Sequence, residues 1–196
     1  MRARILTLGV VVAMIGTAQP VSADWLLIPF AGVTAGGRTG YFDPDAAVSR
    51  TKPVIGAAVT RTWRRFAAEG ELAFVPNFFT AGDGRLITSS SLLSVSGNAI
   101  VNLPSLAGLT PYAVAGAGVV RVQMRHTADT FSVSEWQPVL NVGAGLLVPV
   151  AGRFSLRGDA RYTLSRRRDG ADSSIGFGET YVDFWRVTAG LAIALR

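Results

Sequence analysis

Apolar residues recur at every second position through segment after segment of this chain, and that period dictates the backbone. The clearest case is 154–164. There Phe154, Leu156, Gly158, Ala160, Tyr162 and Leu164 share one face, and Ser155, Arg157, Asp159, Arg161 and Thr163 the other. Successive side chains of a strand point to opposite sides of the sheet, so a strand is what separates those two sets. A sheet in water turns such charges outward and its oil onto a core. A barrel in a membrane does the reverse, with oil toward lipid and charge in the lumen.

The same period runs along most of the chain. Residues 25–35 alternate weakly, because Leu26, Leu27 and Ile28 adjoin. In 53–63, Ile55, Ala57 and Val59 oppose Gly56, Ala58, Thr60 and Thr62. In 66–75, Phe66, Ala68, Gly70, Leu72 and Phe74 oppose Ala67, Glu69, Glu71, Ala73 and Val75. Leu93 to Leu103 and Trp136 to Val148 alternate against Ser, Asn, Gln and Gly, and Trp185 to Leu195 against Arg186, Thr188 and small residues. In 112–123, the set of Tyr112, Val114, Gly116, Gly118, Val120 and Val122 opposes Ala113, Ala115, Ala117, Val119, Arg121 and Gln123.

The reading is eight strands, with connections running long, short, long, short, long, short, long. The long ones are 36–52, 77–90, 124–135 and 165–179, polar stretches with Asp and Ser in each and Gly in all but the third. Outer-membrane barrels have this asymmetry, with tight periplasmic turns and extended outer loops. A strand of about 11 residues tilted near 40° rises about 27 Å, which matches an apolar band of about 25 Å. Trp63, Phe66, Tyr112 and Phe154 then fall near the turn end, and Phe74, Trp136, Tyr162 and Trp185 toward the loop end. Two such belts are what amphipathic rings favour at membrane interfaces. Arg61, beside Trp63 on an apolar face, can reach the headgroups on its long stem.

Composition narrows the alternatives. The chain is 49% hydrophobic and only 16% charged, yet it contains no apolar run long enough for a spanning helix. Residues 1–23 read as a signal peptide: Arg2 and Arg4 precede an apolar stretch, and Val21-Ser22-Ala23 suits cleavage. The barrel is expected over 24–196. Losing Arg2 and Arg4 lowers the formal net charge from +6 to +4. The absence of cysteine excludes a disulfide scaffold. No basic patch interleaved with aromatics points to nucleic acid.

The signal peptide, Thr110-Pro-Tyr-Ala-Val-Ala-Gly-Ala-Gly118 and Leu156-Arg-Gly-Asp-Ala-Arg-Tyr162 together resemble the small outer-membrane β-barrel family, the eight-stranded OmpA/OmpX-like barrels. The resemblance covers the whole mature chain and implies an all-β, eight-stranded antiparallel up-and-down transmembrane barrel. It implies an outer-membrane location, lipid and lipopolysaccharide as surroundings, and a monomer inserted by the outer-membrane assembly machinery. Such chains usually end in an aromatic residue, whereas this one ends Ala194-Leu195-Arg196.

Candidate sites follow from where charge falls. Glu69, Glu71, Arg121, Arg157, Asp159, Arg161 and Arg186 are expected to face the lumen. An eight-stranded barrel is just wide enough for side chains to fill, so these charges should pair in a network instead of lining a pore. A polar path for small ions is the functional alternative. Arg166, Arg167 and Arg168 offer guanidinium forks to lipopolysaccharide phosphates. Arg157-Gly158-Asp159 spells an adhesion tripeptide, but within a strand its charges point inward.

His126 is the single histidine, near Ser132, Ser134 and Glu135 in the third long connection, and is the one place for ester chemistry of the lipid A-modifying kind. The local order matches no such motif, so no enzyme activity is expected. Neither a cofactor nor a metal site is indicated. A structural or surface-interaction role is the best reading; a soluble periplasmic carrier of a lipophilic ligand and a lipid A-modifying enzyme are the alternatives.

Overall fold

The computed structural model describes residues 25–39, 51–76, 87–126, 132–167 and 180–195. They form eight strands: β1 (Trp25–Thr39), β2 (Lys52–Trp63), β3 (Phe66–Pro76), β4 (Ile87–Asn102), β5 (Thr110–His126), β6 (Ser132–Ala151), β7 (Phe154–Arg167) and β8 (Thr180–Leu195). Each pairs antiparallel with the next, and β8 pairs back onto β1, so the sheet closes into a barrel without a free edge. The fold is the expected eight-stranded antiparallel up-and-down barrel. Residues 1–23 lie outside the described residues.

Three tight connections gather at one end of the barrel. Arg64-Arg65 joins β2 to β3, with Arg64 at φ 52°, and Gly152-Arg153 joins β6 to β7, with Gly152 at φ 51°. Between β4 and β5 the chain makes a small bridge from Leu106 to Leu109. At the other end the strands run beyond the alternating segments. Residues 124–126, 132–135 and 165–167, expected as loop, continue the ladder: Met124 pairs with Val133, Arg125 with Ser132, and Arg167 with Thr180. Backbone pairing needs no apolar face, so the sheet extends past the point where its side-chain pattern fades.

Six strands, β2, β3, β4, β6, β7 and β8, face as their alternation and charges require. Ile55, Leu72, Val95, Leu140, Val142, Leu156 and Val187 lie exposed on the outer wall, while Glu69, Glu71, Arg157, Asp159, Arg161 and Arg186 are buried inside. The weakly patterned β1 puts Ile28 and Thr34 inward and Trp25, Leu27 and Val33 outward.

β5 faces opposite to expectation. Tyr112, Val114 and Val120 are buried in the interior, while Ala113, Ala115, Ala117 and Val119 face outward. Arg121, expected in the lumen, therefore belongs to the outer wall. The cause is register: Arg121 sits opposite Leu93 of β4 and Trp136 of β6, and directly opposed residues share a face. Both faces of β5 are apolar, so its own sequence carries no information about which one meets the outside.

The interior is layered. Toward the loop end, Val54, Ala73, Val75, Leu92, Val120, Val139 and Phe184 pack together. The charged residues form a waist. Toward the turn end, Ala67, Ile100, Tyr112 and Val114 make one apolar cluster and Ile28, Ala58 and Ala192 another.

Candidate functional site: the charged waist

Three carboxylates and three guanidiniums are buried in the waist: Glu69, Glu71 and Asp159 against Arg157, Arg161 and Arg186. With Arg121 on the outer wall, the waist itself is in charge balance. Balance matters because each ion taken from water costs several kcal/mol unless closely compensated.

Glu69 is the hub. One oxygen accepts from Arg161 Nη2 at 2.8 Å and Asn98 Nδ2 at 3.0 Å; the other accepts from Arg157 Nη1 and from Thr60 Oγ1 at 3.0 Å. Four donors from three strands, β2, β4 and β7, thus saturate a carboxylate with no access to water. Asp159 takes Arg161 Nε at 2.6 Å on Oδ1, and Arg161 Nη2 at 3.0 Å and Arg157 Nη2 at 3.2 Å on Oδ2. Glu71 pairs with Arg186 Nη2 at 2.6 Å, and Arg161 Nη1 lies 3.0 Å away as an ion pair at an angle that makes no hydrogen bond. Arg161 therefore touches all three acids, and it is the largest of the fully buried side chains.

The sequence reading missed the neutral members of this cluster. Tyr112, expected in an aromatic belt, is 4% exposed; its hydroxyl donates to Asp159 Oδ2 at 2.7 Å and accepts from Arg157 Nε at 2.6 Å. The Arg157 guanidinium also stacks on the Tyr112 ring, 5.0 Å from its centre. Asn141 Nδ2 donates to Asn98 Oδ1 at 2.9 Å, carrying the network across to β6. The signal that could have found Tyr112 is a small residue across the sheet. Gly145 opposes it, and a Cβ there would stand 2.2 Å from the Tyr112 hydroxyl oxygen. Gly116 makes room for Asn98 in the same way.

Little space is left at the waist. A void of about 10 Å³ lies among Phe30, Glu71, Arg157, Asp159 and Arg161, the room of one water at most. At the turn end the barrel opens into a vestibule of about 460 Å³, walled by Leu26, Ile100 and Leu147, with Arg64 and Arg65 also lining it and Arg157 and Tyr112 reaching it from the waist. Among the described residues no group of His, Asp and Glu is placed to hold a metal.

The other sequence candidates sit elsewhere. Arg121 lays its guanidinium 5.7 Å from the ring centre of Trp136, which is exposed on the outer wall. His126 ends β5 opposite Ile87, and Ser132, Ser134 and Glu135 stand on β6 opposite Arg125, Gln123 and Val122. The side chains of these four candidates lie outside the described residues. So do the side chains of Arg166 and Arg167, whose backbones pair with Tyr181 and Thr180, and Arg168 lies outside them altogether. At the turn end Trp25, Trp63, Phe66 and Phe154 are exposed on the outer wall. Phe74, Trp136 and Trp185 are exposed toward the loop end. Tyr162 is half-buried beside Trp185 and bonds the Asp183 carboxylate.

Charge inside, oil outside, tight turns at one end and a closed sheet define the fold of small outer-membrane β-barrels. No helix among the described residues is long and apolar enough to cross a membrane, which says nothing of crossing by strands. No protein-family model matches the sequence, and neither does any curated protein. Solved structures do share the fold. Neisserial surface protein A superposes with a TM-score of 0.65 at 13% identity, over 87% of this chain and 96% of that one. OprG from Pseudomonas aeruginosa gives 0.55 at 15% identity, over 87% and 95%. Ail of Yersinia pestis, in complex with the heparin analogue sucrose octasulfate, gives 0.52 at 15%, over 86% and 97%.

Proposed function

We propose that this protein spans the bacterial outer membrane as a closed, monomeric barrel and acts through its surface, in envelope integrity or loop-mediated contact, with neither an open pore nor catalysis. The observation that carries the reading is the inversion of the wall: Ile55, Leu140 and Leu156 are each more than half exposed, while Arg161 is 1% exposed. In water that wall would leave a continuous apolar surface far larger than soluble monomers tolerate. In a bilayer it is the solvated face. A carrier of a lipophilic ligand would need an apolar cavity where this barrel holds a filled waist. The signal peptide at 1–23 supplies the export route, and the assembly machinery the insertion.

Neisserial surface protein A and the attachment invasion locus protein Ail carry names that speak of surfaces and attachment. A role of that kind suits a barrel whose interior is occupied by its own side chains. On this reading Arg166, Arg167 and Arg168 stand at the lipopolysaccharide side and bind its phosphates.

Two measurements test the proposal. Protein inserted into planar bilayers should give no conductance steps, because the waist leaves no continuous water path; steady unitary conductance would sink the closed-barrel reading. Folded protein should change its gel mobility on boiling, and a protein that stays soluble and unchanged without detergent would end the membrane assignment. Replacing Arg166, Arg167 and Arg168 together by Ser should weaken the dependence of folding on lipopolysaccharide, and an unchanged dependence would remove that contact.

A further inference from the structure

The turn end of the barrel is charged with one sign. The charged residues of 61–66, 102–111 and 149–154 are Arg61, Arg64, Arg65 and Arg153, all cationic. One of them is held in an unusual way. Arg61 lies on the outer wall of β2, opposite Trp25 of β1 and two residues before Trp63. Its guanidinium carbon is 5.3 Å from the Trp25 ring centre and 5.1 Å from that of Trp63. All three side chains are exposed, and among the described residues Arg61 has no carboxylate partner.

We infer that Arg61, clamped between Trp25 and Trp63, is a binding site for the phosphate of an anionic phospholipid in the membrane leaflet at the turn end; the inference rests on the membrane-spanning reading above. A cation on a lipid-facing wall costs about 2–4 kcal/mol at the bilayer midplane but little near the interface. The flanking tryptophans mark that interface, since indole rings settle at headgroup level. A cation held by ring faces still has N–H groups to give to stronger acceptors, and guanidinium forks match phosphate oxygens in pairs.

Two rings also fix a side chain that would otherwise sample many rotamers, so less freedom is lost when a headgroup binds. Arg64 and Arg65 on the adjoining turn add a general field of the same sign, which favours anionic over zwitterionic lipid. The occupant is a phospholipid and not lipopolysaccharide because this end is opposite the long connections.

The test uses the full mature chain in nanodiscs of phosphatidylcholine alone and of phosphatidylcholine mixed with phosphatidylglycerol. Insertion is scored first, by the mobility change on boiling; failure to insert in either lipid would overturn the membrane reading itself. For inserted protein, native mass spectrometry then counts the lipids retained. The parent chain should retain phosphatidylglycerol over phosphatidylcholine by about fivefold, and Arg61→Gln should abolish most of that preference. The double variant Arg64→Gln, Arg65→Gln should keep the larger part of it. Inserted parent protein with no preference, or a preference that survives in Arg61→Gln and vanishes in the double variant, would overturn the site at Arg61.

Discussion

The waist and the layer above it close the same lumen by opposite means. At the waist, Glu69, Glu71, Asp159, Arg157, Arg161 and Arg186 fill the barrel with matched ions. One layer toward the loops, Val54, Val75, Leu92, Val120, Val139 and Phe184 fill it with oil. The oil stabilises through contact and loss of apolar surface from water, and it tolerates exchange among residues of similar volume. The ions stabilise only as a set, since each is costly without its partners. A small barrel therefore has a core like any domain, built partly of charge because its apolar residues are needed outside.

Removing the hub should separate the two layers most sharply. Glu69→Ala leaves Arg157 and Arg161 under-compensated, and should cost about 3–5 kcal/mol in reversible urea unfolding from lipid vesicles. A loss under about 1 kcal/mol would mean that water reaches the waist and screens it. In the apolar layer, Leu92→Ala should cost about 3 kcal/mol by the same measurement, with unchanged sensitivity to salt.

Tyr112→Phe tests the seam between ion and oil. It keeps the ring and deletes one donor to Asp159 and one acceptor for Arg157, so a loss of about 2 kcal/mol is expected. The smallest effect should come from Arg121→Gln. On the outer wall against Trp136 it should cost less than about 1 kcal/mol. A loss as large as that of Glu69→Ala would put Arg121 back in the lumen and reverse β5.

Set beside β5, its partner β6 and the next strand, β7, explain how far the sequence could be read. In β7 the face of Ser155, Arg157, Asp159, Arg161 and Thr163 is so polar against Leu156 and Leu164 that its orientation follows once the barrel is granted. β6 is nearly as plain, with Trp136, Leu140 and Val142 against Gln137 and Asn141. In β5 the rival faces are Tyr112, Val114 and Val120 against Ala113, Ala115 and Val119, oil against oil. A lone Arg121 at its end then points the wrong way. Of the candidate lumenal charges, six lie together in the waist, but Tyr112, Asn98 and Asn141 join them only through neighbours tens of residues away.

The order of residues alone determined the strands, their number, the alternation of tight and long connections, and the greasy band wide enough for a bilayer. Those are properties of period and spacing, which each segment carries within itself. Tertiary structure decided which face of β5 looks inward, how far the ladder climbs past the band, and which donors reach Glu69. Each of these depends on the register between strands, a relation between distant segments that no single one of them encodes.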